Sequence, residues 1–221
     1  GIIAARLRNG VGGAGVANRA QILPVRVLDE FGGGWTSDVA EGVIWAADHG
    51  AQVINLSLGG PAPSDVMHEA IQYAVAQGVV VVSAAGNTAE SGNPTIYPAS
   101  YPETIAVAAI DDGSRRASFS SYGAYVDIAA PGVDIVSTYG GEAANDYAWM
   151  SGTSMAAPHV AGVVALMRSA DPSLTPDEIM ARLTRTAIDL GKPGADWRYG
   201  AGLVNPARAV REPDPAPPVS S

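Results

Sequence analysis

Gly152-Thr153-Ser154-Met155-Ala156-Ala157-Pro158-His159, running on into Val160-Ala161-Gly162-Val163-Val164-Ala165-Leu166-Met167, is the stretch around which the chain is organised. It opens on small residues and hydroxyls, then turns so apolar that the helix it predicts must be buried nearly all round. A hydroxyl at the start of such a helix has two readings. Thr153 or Ser154 can cap the helix, as Ser and Thr commonly do where helices begin. Alternatively, Ser154 sits among unpaired N–H groups at the positive end of the helix dipole, which would stabilise negative charge developing beside it. The second reading suits a nucleophile attacking a carbonyl.

Ala156 stands where the Gly-x-Ser-x-Gly elbow of the α/β-hydrolases would place its last glycine, so that motif is absent. Gly152 to His159 instead resembles, at every position, the nucleophile signature of the subtilisin-like serine proteases. Other segments follow in family order from Gly1 to about Val210. The resemblance implies an α/β fold, subtilisin-like and doubly wound, with a mainly parallel sheet and helices on both faces. It also implies that the family's first strand and the start of its active-site histidine helix are absent from this chain.

The residues support that fold class independently. Asp65 to Gln77 reads as a helix closed by Gly78 at a plausible C′ position, and Val79-Val80-Val81-Val82 is a β-branched run of the kind buried in a parallel sheet. Strand-helix-strand alternation at this spacing argues for a doubly wound sheet, whose ligands bind at the C-terminal ends of the strands. Further strands are predicted at Ala20–Leu28, Gln52–Leu58, Ile105–Ile110 and Tyr125–Gly132. Thr36-Ser37-Asp38 is predicted to cap a helix ending near His49-Gly50, and Thr175-Pro176-Asp177-Glu178 to start another. Ile2, Ile3, Ala5 and Leu7 suit the apolar face of a helix tail.

At 221 residues with 47% hydrophobic content, the chain can bury a full core as one domain, predicted over residues 1–210. Residues 211–221 are proline-rich and predict a disordered tail or linker. The net charge of −9 argues against nucleic acid and anionic membranes as partners. Zero cysteines exclude disulfides and thiol catalysis. No signal peptide is evident at Gly1, where the sequence reads as the interior of a longer chain.

What the resemblance assigns can be stated residue by residue. Ser154 is the nucleophile, and Asn87 donates from its side-chain amide to the oxyanion. Gly32, Gly33 and Gly34 form one side of the peptide cleft; Ser57, Leu58, Gly59 and Gly60 form the other. Ser83, Ala84, Ala85 and Gly86 line the pocket for the side chain before the cut bond, with the Thr88 to Ile96 segment as its far wall. Small, uncharged walls there favour an apolar or broadly tolerated side chain. Read without the family, the same glycines are turns and strand ends, and Gly86-Asn87 is a turn. Pro98 is the candidate for a cis bond. Leu7, Asn9, Val11 and Gly13 match half of a calcium loop, a structural ion of the intact protein; catalysis needs no cofactor. The expected partner is a polypeptide substrate, the expected state a secreted monomer.

The family's catalytic aspartate and histidine precede the segment that Gly1 matches, and neither motif is present. A serine hydroxyl needs a general base within hydrogen-bond reach. His159 follows Ser154 by five positions, and at ~100° per residue it is turned about 140° away around the helix. His49 sits at a helix end and His68 among polar residues. Two readings follow: most of a serine endopeptidase domain whose base lies outside this sequence, so that the chain alone is inactive, or a noncatalytic peptide-binding module.

Overall fold

The computed structural model describes residues 1–140 and 147–211. The predicted tail beyond Arg211 lies outside the described residues. Four parallel strands, β1 (Val53–Leu56), β2 (Val80–Ala84), β3 (Thr104–Ile110) and β4 (Ile128–Pro131), pair side by side in sequence order. All five residues of β2 and all seven of β3 are buried, which is why they read as continuous apolar runs rather than as alternating ones.

Alternation decides which face each side chain serves. Val80, Val82, Ile105 and Val107 point into one core layer, while Val79 and Val81 point into the other. The first layer is covered by α3 (Thr153–Ala170), with α4 (Pro176–Thr186) and α5 (Pro206–Arg211) behind it. The second is covered by α1 (Thr36–Asp48) and α2 (Asp65–Ala76). Helices therefore lie on both faces of the sheet, as the resemblance implies. The near-total burial of α3, with Ala156, Ala157, Val160, Val164 and Met167 at 0% exposure, follows from its place across the whole sheet.

Local chemistry sets the helix ends. Thr175 and Glu178 form a full capping box ahead of Pro176. Gly78 follows α2 with φ +83°, a left-handed conformation that glycine adopts without steric cost. The Tyr97–Pro98 bond is cis.

Several expectations need correction. Gly1 to Leu7 is a set of turns rather than a helix tail, with one helix-like bond from the Ala5 N–H to the Gly1 carbonyl. Ala20–Leu28 is not a strand: Gln21 to Leu28 makes no backbone–backbone hydrogen bond with any described residue, so its β-branched side chains have no ladder to join. The Thr36–Asp38 cap is also absent, since α1 starts at Thr36 with Trp35 at the N-cap and no side-chain bond. Of Tyr125–Gly132, only β4 is a strand. The antiparallel hairpin of β5 (Ile135–Thr138) and β6 (Tyr147–Met150) was not foreseen, because its side chains are largely exposed and give no core signature.

Candidate active site

The N-terminus of α3 meets the C-terminal ends of β1 and β2. Gly152 occupies the N-cap, and no side chain caps the helix. Both hydroxyls that could have capped it are engaged elsewhere. Thr153 is fully buried; its Oγ1 donates to Asn87 Oδ1 at 2.9 Å and accepts the Gly86 N–H at 3.1 Å. Ser154 is partly exposed, and its Oγ donates to the Ser57 carbonyl at 3.3 Å.

The Asn87 amide is oriented by what surrounds it. Its Oδ1 accepts from both the Thr153 N–H and the Thr153 hydroxyl, each at 2.9 Å. An N–H can only donate, so the oxygen must face Thr153 and the Nδ2 group must face away. The Ser154 N–H belongs to the first turn of α3 and has no partner among the described residues. One point beside Gly152 lies 3.4 Å from Asn87 Nδ2 and 3.7 Å from the Ser154 nitrogen. That point, the position of a side-chain carbon added to Gly152, is also 3.6 Å from Met155 Sδ; near it lie two donors that have no hydrogen-bond partner among the described residues.

Pro158 explains how that end of the helix is tied down. A residue at this position would normally donate its N–H to the carbonyl four residues back, which is that of Ser154; proline has none to give. The freed carbonyl accepts Ser57 Oγ at 2.9 Å, and Ser57 Oγ in turn accepts from Asn55 Nδ2 at 3.0 Å. Ser57 and Ser154 are thus joined by two reciprocal bonds, hydroxyl to carbonyl each way. Sequence reasoning missed this use of Ser57, although a proline four residues after the serine is the signal that reveals it.

The other expected cleft residues divide into two groups. Gly60 is paired in both directions with Tyr97, at 2.9 and 2.8 Å, and Gly59 is exposed beside it. Ser83, Ala84 and Ala85 are 0%, 4% and 0% exposed; the surface at the end of β2 is offered by Gly86 and Asn87. Gly32, Gly33 and Gly34 are exposed in the loop before α1, where the Gly33 N–H is held by the Asp29 carboxylate at 2.8 Å and the Gly33 carbonyl by the Asp29 N–H at 2.8 Å. No hydrogen bond links those glycines to the rest of the site among the described residues.

None of the three histidines serves Ser154. His159 Nδ1 lies 2.8 Å from the Met155 carbonyl of its own helix, and burial holds its pKa below the ordinary histidine value. His68 pairs with Glu103 at 2.9 Å and stacks on Tyr101. His49 caps α1, bonded to the Trp45 carbonyl and stacked on the Trp45 ring. Beside the site, a cleft of about 1130 Å³ separates the unpaired Gln21–Leu28 segment from the free edge of β1 and reaches Ala161 and Ala165 of α3. Asn55 lines it, and its buried Oδ1 has no hydrogen-bond partner.

The residues expected to hold calcium do not by themselves fit that ion. Leu7, Asn9, Val11 and Gly13 offer four neutral oxygens, against the six to eight that calcium takes, usually with carboxylates among them. Asn9 Oδ1 is turned onto the Val11 N–H at 3.2 Å. No cluster of three or more His, Cys, Asp or Glu residues is placed to bind a metal among the described residues.

The pattern of the subtilase family, peptidase S8, matches residues 1–202. The chain belongs to the subtilase family. Subtilisin Savinase of Lederbergia lenta is 47% identical over 212 residues, 96% of this chain and 75% of that protein. M-protease of Shouchella clausii is likewise 47% identical over 212 residues, covering 96% of this chain and 53% of its own length. The chain thus spans about half the length of M-protease and, at 50%, of the thermophilic serine proteinase of Bacillus sp. strain AK1. Fervidolysin of Fervidobacterium pennivorans, a keratinolytic enzyme related to subtilisin, superposes with a TM-score of 0.88 at 41% identity, covering 98% of this subtilase chain and 36% of fervidolysin.

Proposed function

We propose that this subtilase chain is the greater part of a serine endopeptidase domain, in which Ser154 Oγ attacks the carbonyl of a peptide bond. The observation that carries this reading is that Asn87 Nδ2, turned away from Thr153, and the Ser154 N–H both lie close to Gly152 without a partner among the described residues, in the same turn as a partly exposed Ser154 hydroxyl. As the Oγ–C bond forms, the carbonyl oxygen becomes an anion, and two preoriented donors stabilise it where it develops. Collapse of that intermediate breaks the C–N bond and leaves an acyl group on Ser154; water then releases it. The proton from Ser154 and the proton to the leaving amine must pass through a base.

That base and its acidic partner come from polypeptide outside these 221 residues. All three histidines of the chain are engaged away from Ser154, which supports this assignment. So does the cleft between β1 and the Gln21–Leu28 segment, whose backbone makes no bond to other backbone among the described residues. A parallel strand entering it would satisfy both edges at once. The substrate is an extended polypeptide, and the acidic charge makes nucleic acid and anionic membranes poor partners. No helix among the described residues is long and apolar enough to cross a membrane; we assign the protein to the secreted, monomeric enzymes of its family, with any structural calcium completed by ligands from outside this chain.

The test compares hydrolysis of an unstructured polypeptide by the 221-residue chain and by the same chain extended upstream through the missing strand and histidine helix. The extended protein should cleave, its Ser154→Ala variant should not, and the short chain should be inactive. Cleavage by the short chain at a rate typical of proteases would refute the division of the catalytic groups. An inert extended protein would instead favour a noncatalytic peptide-binding module.

A further inference from the structure

Asn9-Gly10 is the one place in the chain where glycine follows asparagine. Every residue from Arg6 to Ala14 is exposed, so water reaches the pair freely. Glycine has no side chain to shield its nitrogen, and a methyl group placed on Gly10 would meet nothing within 4 Å. The Gly10 N–H has no hydrogen-bond partner among the described residues.

Local geometry brings two reactive groups together. Asn9 Oδ1 accepts the Val11 N–H at 3.2 Å. The ring closed by that bond contains both Asn9 Cγ and the Gly10 nitrogen, so the side-chain amide is folded over the peptide nitrogen that follows it. A donor on Oδ1 also stabilises the negative charge that develops there when Cγ is attacked. Arg8 and Gly10 on either side lie in the left-handed region, with φ +62° and +73°. The loop is anchored at its base, where the Gly15 N–H donates to the Ala5 carbonyl at 2.9 Å.

The other described asparagines lack this combination. Proline follows Asn93 and Asn205, and its nitrogen carries no proton to lose. Asn55 lies within β1, Asn87 is held by Thr153, and Asn18 precedes the bulky Arg19.

We infer that Asn9-Gly10 is a site of spontaneous deamidation, a covalent modification that exposed asparagine is prone to. The Gly10 nitrogen gives up its proton and attacks Asn9 Cγ; the Cγ–Nδ2 bond breaks, and the amide leaves as ammonia with that proton. Water then opens the cyclic imide at either carbonyl. One product is aspartate with the original backbone, the other isoaspartate with the backbone rerouted through the side chain. Each event replaces a neutral amide by a carboxylate and so adds one negative charge to the formal −9.

The test incubates the upstream-extended protein in mildly alkaline buffer, folded and in concentrated urea. It carries Ser154→Ala so that it cannot digest itself, and a chelator is present so that no cation competes for Asn9 Oδ1. Peptide mapping by mass spectrometry locates the change, and an isoaspartate-specific methyltransferase identifies the rerouted product. In the folded protein Asn9 should react faster than every other asparagine of these 221 residues, give both products, and do so at a rate within tenfold of that in urea. Gly10→Ala, which hinders the nitrogen, should slow the reaction at least fivefold, and Asn9→Gln, whose ring would need one more atom, should abolish it. An Asn9 that is not the fastest site, a rate that rises more than tenfold in urea, or a smaller effect of Gly10→Ala would overturn the inference.

Discussion

Asp127 offers a quantitative check on the fold around the site's supporting strands. Its carboxylate lies largely buried at the start of β4, accepting the Ala106 N–H at 2.8 Å, while its own backbone N–H goes to the Ala106 carbonyl and its carbonyl to the Ala201 N–H. Burial pushes its pKa up to about 6, and the Ala106 N–H offsets only part of that. An unfolded aspartate titrates near 3.9, so below about pH 4 the group is neutral in both states and no charge is buried. As pH rises from about 4 towards 6, the unfolded chain ionises while the folded one still holds its proton, so stability falls across that window. Above it the full cost persists: a gap of about two pH units, at about 1.4 kcal/mol each, makes roughly 3 kcal/mol. Asp127→Asn keeps an oxygen acceptor for Ala106 and carries no charge. Urea unfolding of both proteins between pH 4 and 8 should therefore show a stability difference near zero at pH 4 that grows in favour of D127N to about 3 kcal/mol by pH 7. The difference cancels the titration of every other group. A pH-independent difference, or one that grows in favour of the wild type, would refute the reasoning.

Other outcomes follow from the same contacts. Ser57→Ala removes the hydroxyl that donates to the Ser154 carbonyl in place of the N–H Pro158 lacks, and should lower unfolding stability by about 1–2 kcal/mol in a urea titration. Thr175→Ala removes an exposed capping box far from the site, and should cost about 1 kcal/mol with peptide hydrolysis by the extended protein unaffected. Asn87→Leu in the extended protein should lower kcat roughly 100- to 1000-fold with KM nearly constant; that magnitude is the one established for subtilisin's own oxyanion-hole asparagine and is carried over, not worked out from this geometry. Calcium added to the 221-residue chain should leave its melting temperature unchanged, since four neutral oxygens are too few to hold the ion.

The parts of the chain most legible in the sequence are the most buried. β2 and β3 are covered on both sides and carry an unbroken apolar signal, the middle of α3 is nearly as apolar, and Gly78 and the Thr175–Glu178 box mark helix ends through local backbone chemistry. Ala20–Leu28 carries a strand's composition, yet composition cannot supply a hydrogen-bonding neighbour, and none is present among the described residues. The β5–β6 hairpin was illegible for the opposite reason: Trp149, at 71% exposure, and Val136, at 46%, face outward and follow no burial pattern.

The candidate site was legible only as what the resemblance at Gly152–His159 and at Asn87 implies, and the contacts around those residues were not. Thr153 read as one of two possible caps, and the structure instead turns its hydroxyl onto Asn87 and Gly86. The Gly60–Tyr97 pairing, across 37 residues, is likewise encoded in no local pattern.

The most direct measurement is a time course of fluorophosphonate labelling on the upstream-extended protein, followed by mass mapping of the modified peptide. One label per chain, confined to the peptide carrying Ser154 and lost in Ser154→Ala, is the predicted result. A protein that folds, remains unlabelled at Ser154, and still hydrolyses polypeptide would contradict the account at its centre.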